Sequence, residues 1–90
     1  MAKYQIKLKN TALLDRWRSL EESIPSQMQR CKIFLEENHH NRLRSGGKLK
    51  KLKGRLQGIL QYDLTDNHRV HYRVDTVAKI VYIEYIGAHP

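Results

Sequence analysis

An α+β fold, with a two-helix hairpin packed on a mainly antiparallel four-stranded sheet in the order β-α-α-β-β-β, is predicted by three features of this 90-residue chain. Its start alternates polar and apolar residues with the period of a half-buried strand. Two stretches with apolar residues at helical spacing follow. The last third then holds three strand-like runs separated by gaps of hairpin length. With 40% apolar residues, a chain of this size has material for one core and not for two, so residues 1–90 read as a single domain.

Tyr4, Ile6 and Leu8 alternate with Gln5 and Lys7 and make the opening strand. Asn10 or Thr11 caps the first helix, whose apolar stripe is Leu13, Leu14, Trp17 and Leu20 and which runs to about Glu22. Pro25 stops it. Ser26 with Gln29 then forms a capping box for a second helix with Met28, Cys31, Phe34 and Leu35 on its apolar side. The short link between the helices predicts a hairpin whose joint apolar face lies on a sheet. Residues 57–64, 69–75 and 79–86 supply a meander of strands, and the opening strand joins its edge. In the third run Ile80, Tyr82 and Ile86 alternate with Val81, Ile83 and Tyr85, which predicts a central strand covered on two faces.

Charge is unevenly spread. Of 17 Lys and Arg against 9 Asp and Glu, residues 38–62 hold seven bases and no acid, namely Arg42, Arg44, Lys48, Lys50, Lys51, Lys53 and Arg55 around Gly46, Gly47 and Gly54. This segment reads as a flexible basic loop. Its positive potential favours a polyanion, nucleic acid first and an acidic protein second, or it is simply a solvated surface. The longest apolar run, Ile80 to Ile83, is far too short to cross a bilayer, and the N-terminus lacks the apolar block of a secretory signal, so a cytoplasmic protein without membrane contact is expected. A lone cysteine, Cys31, forms no internal disulfide and makes a poor start for a zinc site.

In the second strand-like run, Val70, Tyr72 and Val74 share one face while Arg69, His71 and Arg73 share the other. The two guanidiniums are expected to meet successive phosphates, or else to pair with Asp63 or Asp75 on an ordinary exposed face. His39 and His40 sit at a helix end and read as surface residues. His68, at a hairpin end, and His71, on the cationic face, are expected either to contact RNA or to be ordinary exposed strand residues. His89 follows the last strand beyond Gly87 and projects past the sheet edge, where an imidazole can exchange a proton near neutral pH.

The run Leu49-Lys50-Lys51-Leu52-Lys53-Gly54, then Tyr62-Asp63-Leu64-Thr65, then His68-Arg69-Val70-His71-Tyr72-Arg73-Val74, and the ending Val81-Tyr82-Ile83-Glu84-Tyr85-Ile86-Gly87-Ala88-His89 together resemble the RelE/ParE superfamily of toxins from bacterial toxin–antitoxin pairs. The element order over the whole chain is similar too, and the Gly-Ala-His ending is closest to the YafQ and HigB-like branches. The resemblance implies a ribosome-dependent, metal-independent mRNA endoribonuclease without cofactors. It would cut mRNA in the ribosomal A site, inhibit translation, and be held inactive by a cognate acidic antitoxin. It also implies roles: Arg69 for transition-state charge, His89 as general acid or base, Arg73 on the neighbouring phosphate. Lys48, Lys50, Lys51, Lys53 and Arg55 would lie along mRNA and rRNA backbones, with Tyr62 or His71 stacking on a base. Gln61 and Asp63 stand where the RelE branch places lysines, so that branch's proton-transfer scheme does not carry over. Two other readings stay open, a ParE-like gyrase-binding toxin without nuclease activity and a non-catalytic RNA-binding protein.

Overall fold

The computed structural model describes residues 3–37, 46–52 and 58–88. Its elements are β1 (Gln5–Leu8), α1 (Thr11–Ser23), α2 (Pro25–Glu37), β2 (Leu49–Lys51), β3 (Leu60–Asp63), β4 (His68–Asp75) and β5 (Ile80–Ala88). The expected α+β class holds, but the sheet has five strands, in the order β1-β5-β4-β3-β2. The additional strand is β2, which occupies part of the expected basic loop. Leu49 is buried and anchors it, while Lys50 and Lys51 are exposed, as suits an edge strand. β1 pairs with β5 in parallel and every other pair is antiparallel. A parallel neighbour needs a long crossover, and the helical hairpin with the meander behind it provides one.

Asn10 caps α1, its side-chain oxygen accepting from the Leu13 amide at 2.9 Å. Ile24 alone separates the helices. Its carbonyl accepts from the Met28 amide at 3.0 Å, so α2 starts at Pro25 and not at a Ser26 capping box. Proline fits there because a first-turn amide has no intrahelical acceptor to lose. Leu13, Trp17 and Leu20 of α1 and Met28, Cys31, Phe34 and Leu35 of α2 are buried, and they meet Tyr62, Val70, Tyr72, Val81, Ile83 and Ile86 of the sheet in one core. Burial pushes the Cys31 thiol far up, so it stays protonated. No helix among the described residues is long and apolar enough to cross a membrane.

β5 departs from its expected two-sided burial. Register with β4 shifts between His71 and Tyr72, leaving Glu84 without an opposite residue. This bulge reverses the strand's phase, so Val81 and Ile83 face the core before it and Ile86 after it, while Tyr82 is exposed. Both alternating sets look apolar because the phase changes along the strand, and only one face of the sheet carries the helices.

Candidate nucleic-acid interface

The face of the sheet opposite the helices carries the polar residues of β3 and β4. Its geometry is set by a tight connection. The Thr65 hydroxyl oxygen accepts from the amides of Asn67 and His68, each at 3.1 Å, and meets His68 Nδ1 at 3.0 Å. The Leu64 amide closes the turn on the His68 carbonyl at 2.9 Å. This fixes Asp63 opposite Arg69 and Gln61 opposite His71. Opposite residues of an antiparallel pair share a face, so each polar pair is forced into contact. On the other flank of β4, Arg69 faces Gly87, which places no side chain beside it.

Asp63 is the centre of this group. Its Oδ2 lies 3.2 Å from Lys50 Nζ, its Oδ1 accepts from Gln61 Nε2 at 2.9 Å, and Arg69 Nε stands 3.8 Å from Oδ1. Gln61 is buried, and its Oε1 lies 3.0 Å from His71 Nε2. Because the amide nitrogen is given to Asp63, the amide oxygen must accept, and His71 carries its proton on Nε2. Burial, followed by the neighbouring Arg69 guanidinium, holds the His71 pKa below its ordinary value although Asp63 opposes the shift, so the ring is neutral at pH 7. Its ring also lies 5.7 Å from that of Tyr85, whose hydroxyl donates to the Ala88 carbonyl at 2.7 Å.

Arg69 is the unusual member. Its side chain is only 23% exposed, and its Nε is buried with no hydrogen-bond partner among the described residues. With its Nε unpartnered and its contact to Asp63 at 3.8 Å, this half-buried guanidinium retains a donor for an anion. It opens onto a cleft of about 380 Å³ bordered by Gly47, Lys48, Lys50, Asp63, Thr65 and Asp66. A second cleft of about 350 Å³, bordered by Arg16, Ser19, His68, Tyr85, Gly87 and Ala88, lies where β5 ends. Arg16 stacks over the Tyr85 ring at 5.6 Å.

The structure separates several residues that the sequence reading grouped. Arg73 lies four residues from Arg69, roughly 13 Å along the strand, about twice the spacing of successive phosphates. It pairs at 3.1 Å with Glu84, not with Asp75, and is largely exposed. Tyr62 cannot stack on a base. It is buried on the helix side, its ring 5.0 Å from that of Phe34. His71 is also covered and committed to Gln61 and Tyr85, so it is no open stacking platform. Lys50 shares the face of its register partner Gln61, and Lys51 points the other way. Lys48 is half-buried at the cleft. Lys53, Arg55, His39, His40 and His89 lie outside the described residues. The sequence marks Gln61 and Asp63 only as departures from the RelE-branch lysines, with Asp63 also an ion-pair candidate, and assigns neither a role in the site. Their alternation with Tyr62 and Leu64, carried across the hairpin, is the signal that reveals both. Among the described residues no group of three or more His, Cys, Asp or Glu is arranged to hold a metal ion.

Comparison with solved structures reveals the same architecture in bacterial toxins. A YoeB/ParE toxin from Agrobacterium tumefaciens is 18% identical, with 96% of this chain covered, 99% of that one, and a TM-score of 0.68. A YoeB–YefM complex from Staphylococcus aureus gives 18% identity, coverage of 99% and 100%, and a TM-score of 0.69. The toxin–antitoxin complex RelBE2 from Mycobacterium tuberculosis gives 21% identity, coverage of 99% and 94%, and a TM-score of 0.59. The chain therefore has the fold of the RelE/ParE-like toxins over its whole length. No family model and no curated protein matches the sequence.

Proposed function

We propose that this chain is the toxin of a type II toxin–antitoxin pair and inhibits translation as an endoribonuclease acting on mRNA in the ribosomal A site. The observation that carries this reading is the half-buried Arg69 guanidinium, its Nε without a hydrogen-bond partner among the described residues, beside Lys48 and Lys50 at one cleft. A fold shared with toxins held in antitoxin complexes supports it. In RNA cleavage by internal attack, the ribose 2′-oxygen adds to the adjacent phosphate and negative charge grows on its oxygens. A rigid fork of donors placed there stabilises that charge more in the transition state than in the ground state. Lys48 and Lys50, at the cleft, hold the message backbone with Lys53 and Arg55, Lys51 on the opposite face is left to rRNA, and Arg73 takes a flanking phosphate when Glu84 releases it. His89, two residues after Gly87, protonates the leaving 5′-oxygen. The cytoplasmic antitoxin partner is an acidic segment that folds over the same basic face.

The test is translation of a reporter message in a purified system, with cuts mapped by primer extension for wild type, Arg69→Ala and His89→Ala. Cuts from wild type that fall about 100-fold or more in each variant support the assignment. A wild-type chain that leaves the message whole refutes the nuclease. If it then inhibits DNA gyrase, the ParE-like reading takes its place, and if it only binds RNA, the non-catalytic one does.

A further inference from the structure

We propose that the Asp63 carboxylate is the general base that takes the proton from the attacking 2′-hydroxyl, an assignment that rests on the nuclease reading above. Asp63 stands directly across the hairpin from Arg69, so a phosphate engaged by the guanidinium brings its own ribose against the carboxylate. The ion pair between the two side chains is a loose one. A bidentate Arg–carboxylate pair closes to roughly 2.7–2.9 Å, whereas Arg69 Nε is 3.8 Å from Oδ1 and makes no hydrogen bond. Acceptor capacity on the carboxylate and donor capacity on the guanidinium both remain for a substrate.

The carboxylate is also held in place from behind. Gln61 is 4% exposed, donates to Oδ1, and is itself oriented by His71. Lys50 fixes Oδ2 from the side. A carboxylate in a cleft built for phosphate opposes binding by its charge, so a buried hydrogen-bond chain that keeps it there calls for a function, and proton acceptance supplies one. Other bases among the described residues are less suited. Asp66 is exposed in the turn, the His71 ring is covered and tied through Nε2, and His68 engages Thr65 and borders the other cleft.

In the proposed step the 2′-hydroxyl proton passes to an Asp63 oxygen as the 2′-oxygen bonds to phosphorus. Charge on the five-coordinate phosphorus centre is met by Arg69. The bond from phosphorus to the 5′-oxygen then breaks, and that oxygen takes the proton supplied by His89. A 2′,3′-cyclic phosphate and a 5′-hydroxyl end result, and Asp63 returns its proton to water.

The experiment measures single-turnover cleavage on ribosomes programmed with the reporter message for wild type, Asp63→Asn and Asp63→Ala. Affinity is measured in parallel for the same complex carrying a 2′-deoxynucleotide at the mapped cut, and circular dichroism reports folding. Asp63→Asn should cleave about 100-fold or more slowly yet bind the deoxy complex as well as wild type or more tightly, since it removes a negative charge. Added formate, a diffusible carboxylate, should restore cleavage to Asp63→Ala and not to Arg69→Ala. If wild type cuts and Asp63→Asn cuts as fast, or if folded Asp63→Ala stays inert in formate, Asp63 is not the base while the nuclease stands. If Asp63→Ala does not fold, the Asn variant decides alone. A wild type that never cuts removes both readings together.

Discussion

At the scale of single residues, the polar face is governed by one buried amide. Gln61 faces away from the helices yet is almost fully covered, and it joins Asp63 to His71. Gln61→Leu keeps the volume and removes both hydrogen bonds, leaving His71 Nε2 without an acceptor. Unfolding free energy should fall by about 1–3 kcal/mol in urea titrations, and under the proposed nuclease function cleavage should fall with it, because Gln61 no longer orients Asp63. The His71 shift yields a second prediction. Its folded-state pKa lies below 6.5, so in the window between that value and 6.5 the unfolded chain binds more protons than the folded one. Stability therefore rises with pH through this window and is lost on acidification. The effect is bounded by one proton, at most about 1.4 kcal/mol per pH unit. Urea midpoints compared at about pH 5.5 and about pH 7.5 should differ for wild type and differ less for His71→Asn. An equal drop in both proteins would show that His71 titrates normally.

At the scale of elements, the helices were legible because their stripes are unbroken. Leu13, Trp17 and Leu20, and Met28, Cys31, Phe34 and Leu35, recur at helical spacing and are all buried. The strands were legible as runs but less so in their facing. Tyr62 alternates with Gln61 and Asp63 in a way that places it with the core, yet an aromatic next to a basic stretch invites a binding role, and the Phe34 contact that decides the matter is long-range. The Glu84 bulge and the pairing of a three-residue β2 depend on neighbours far along the chain, so no local pattern reveals them. Gly87 is where the end of β5 is most constrained. It has φ 146°, and a Cβ there would lie 3.2 Å from the Tyr85 hydroxyl and 3.5 Å from Arg16. Gly87→Ala should therefore cost about 1–3 kcal/mol in thermal or urea unfolding. It should also displace the Tyr85 hydroxyl from the Ala88 carbonyl, measurable as faster exchange of amides near the end of β5. Exchange and stability like those of wild type would mean that the strand end absorbs the methyl without strain.

At the scale of the whole molecule, a formal charge of +8 on 90 residues predicts salt-sensitive RNA binding, but the fold decides which charges count. Neutralised phosphates release condensed counterions, so the logarithm of the binding constant falls with the logarithm of salt concentration by about 0.7 per contact on a single strand. Lys50 and Lys51 are neighbours in sequence and nearly equal in composition terms, but β2 turns them to opposite faces, Lys50 beside Asp63 and Lys51 away from the cleft. Binding of a short single-stranded RNA, followed by fluorescence anisotropy over a series of salt concentrations, should separate them. Lys50→Ala should weaken binding and lower the salt slope by about 0.7, while Lys51→Ala should leave the slope nearly unchanged. Asp63→Asn should move affinity in the opposite direction from Lys50→Ala, because it frees the lysine from its partner without changing the number of cations. Equal effects from the two lysines would mean that RNA wraps the edge of the sheet instead of entering the Arg69 cleft. The cationic face would then be a diffuse electrostatic surface, with no phosphate position defined by the β3–β4 register.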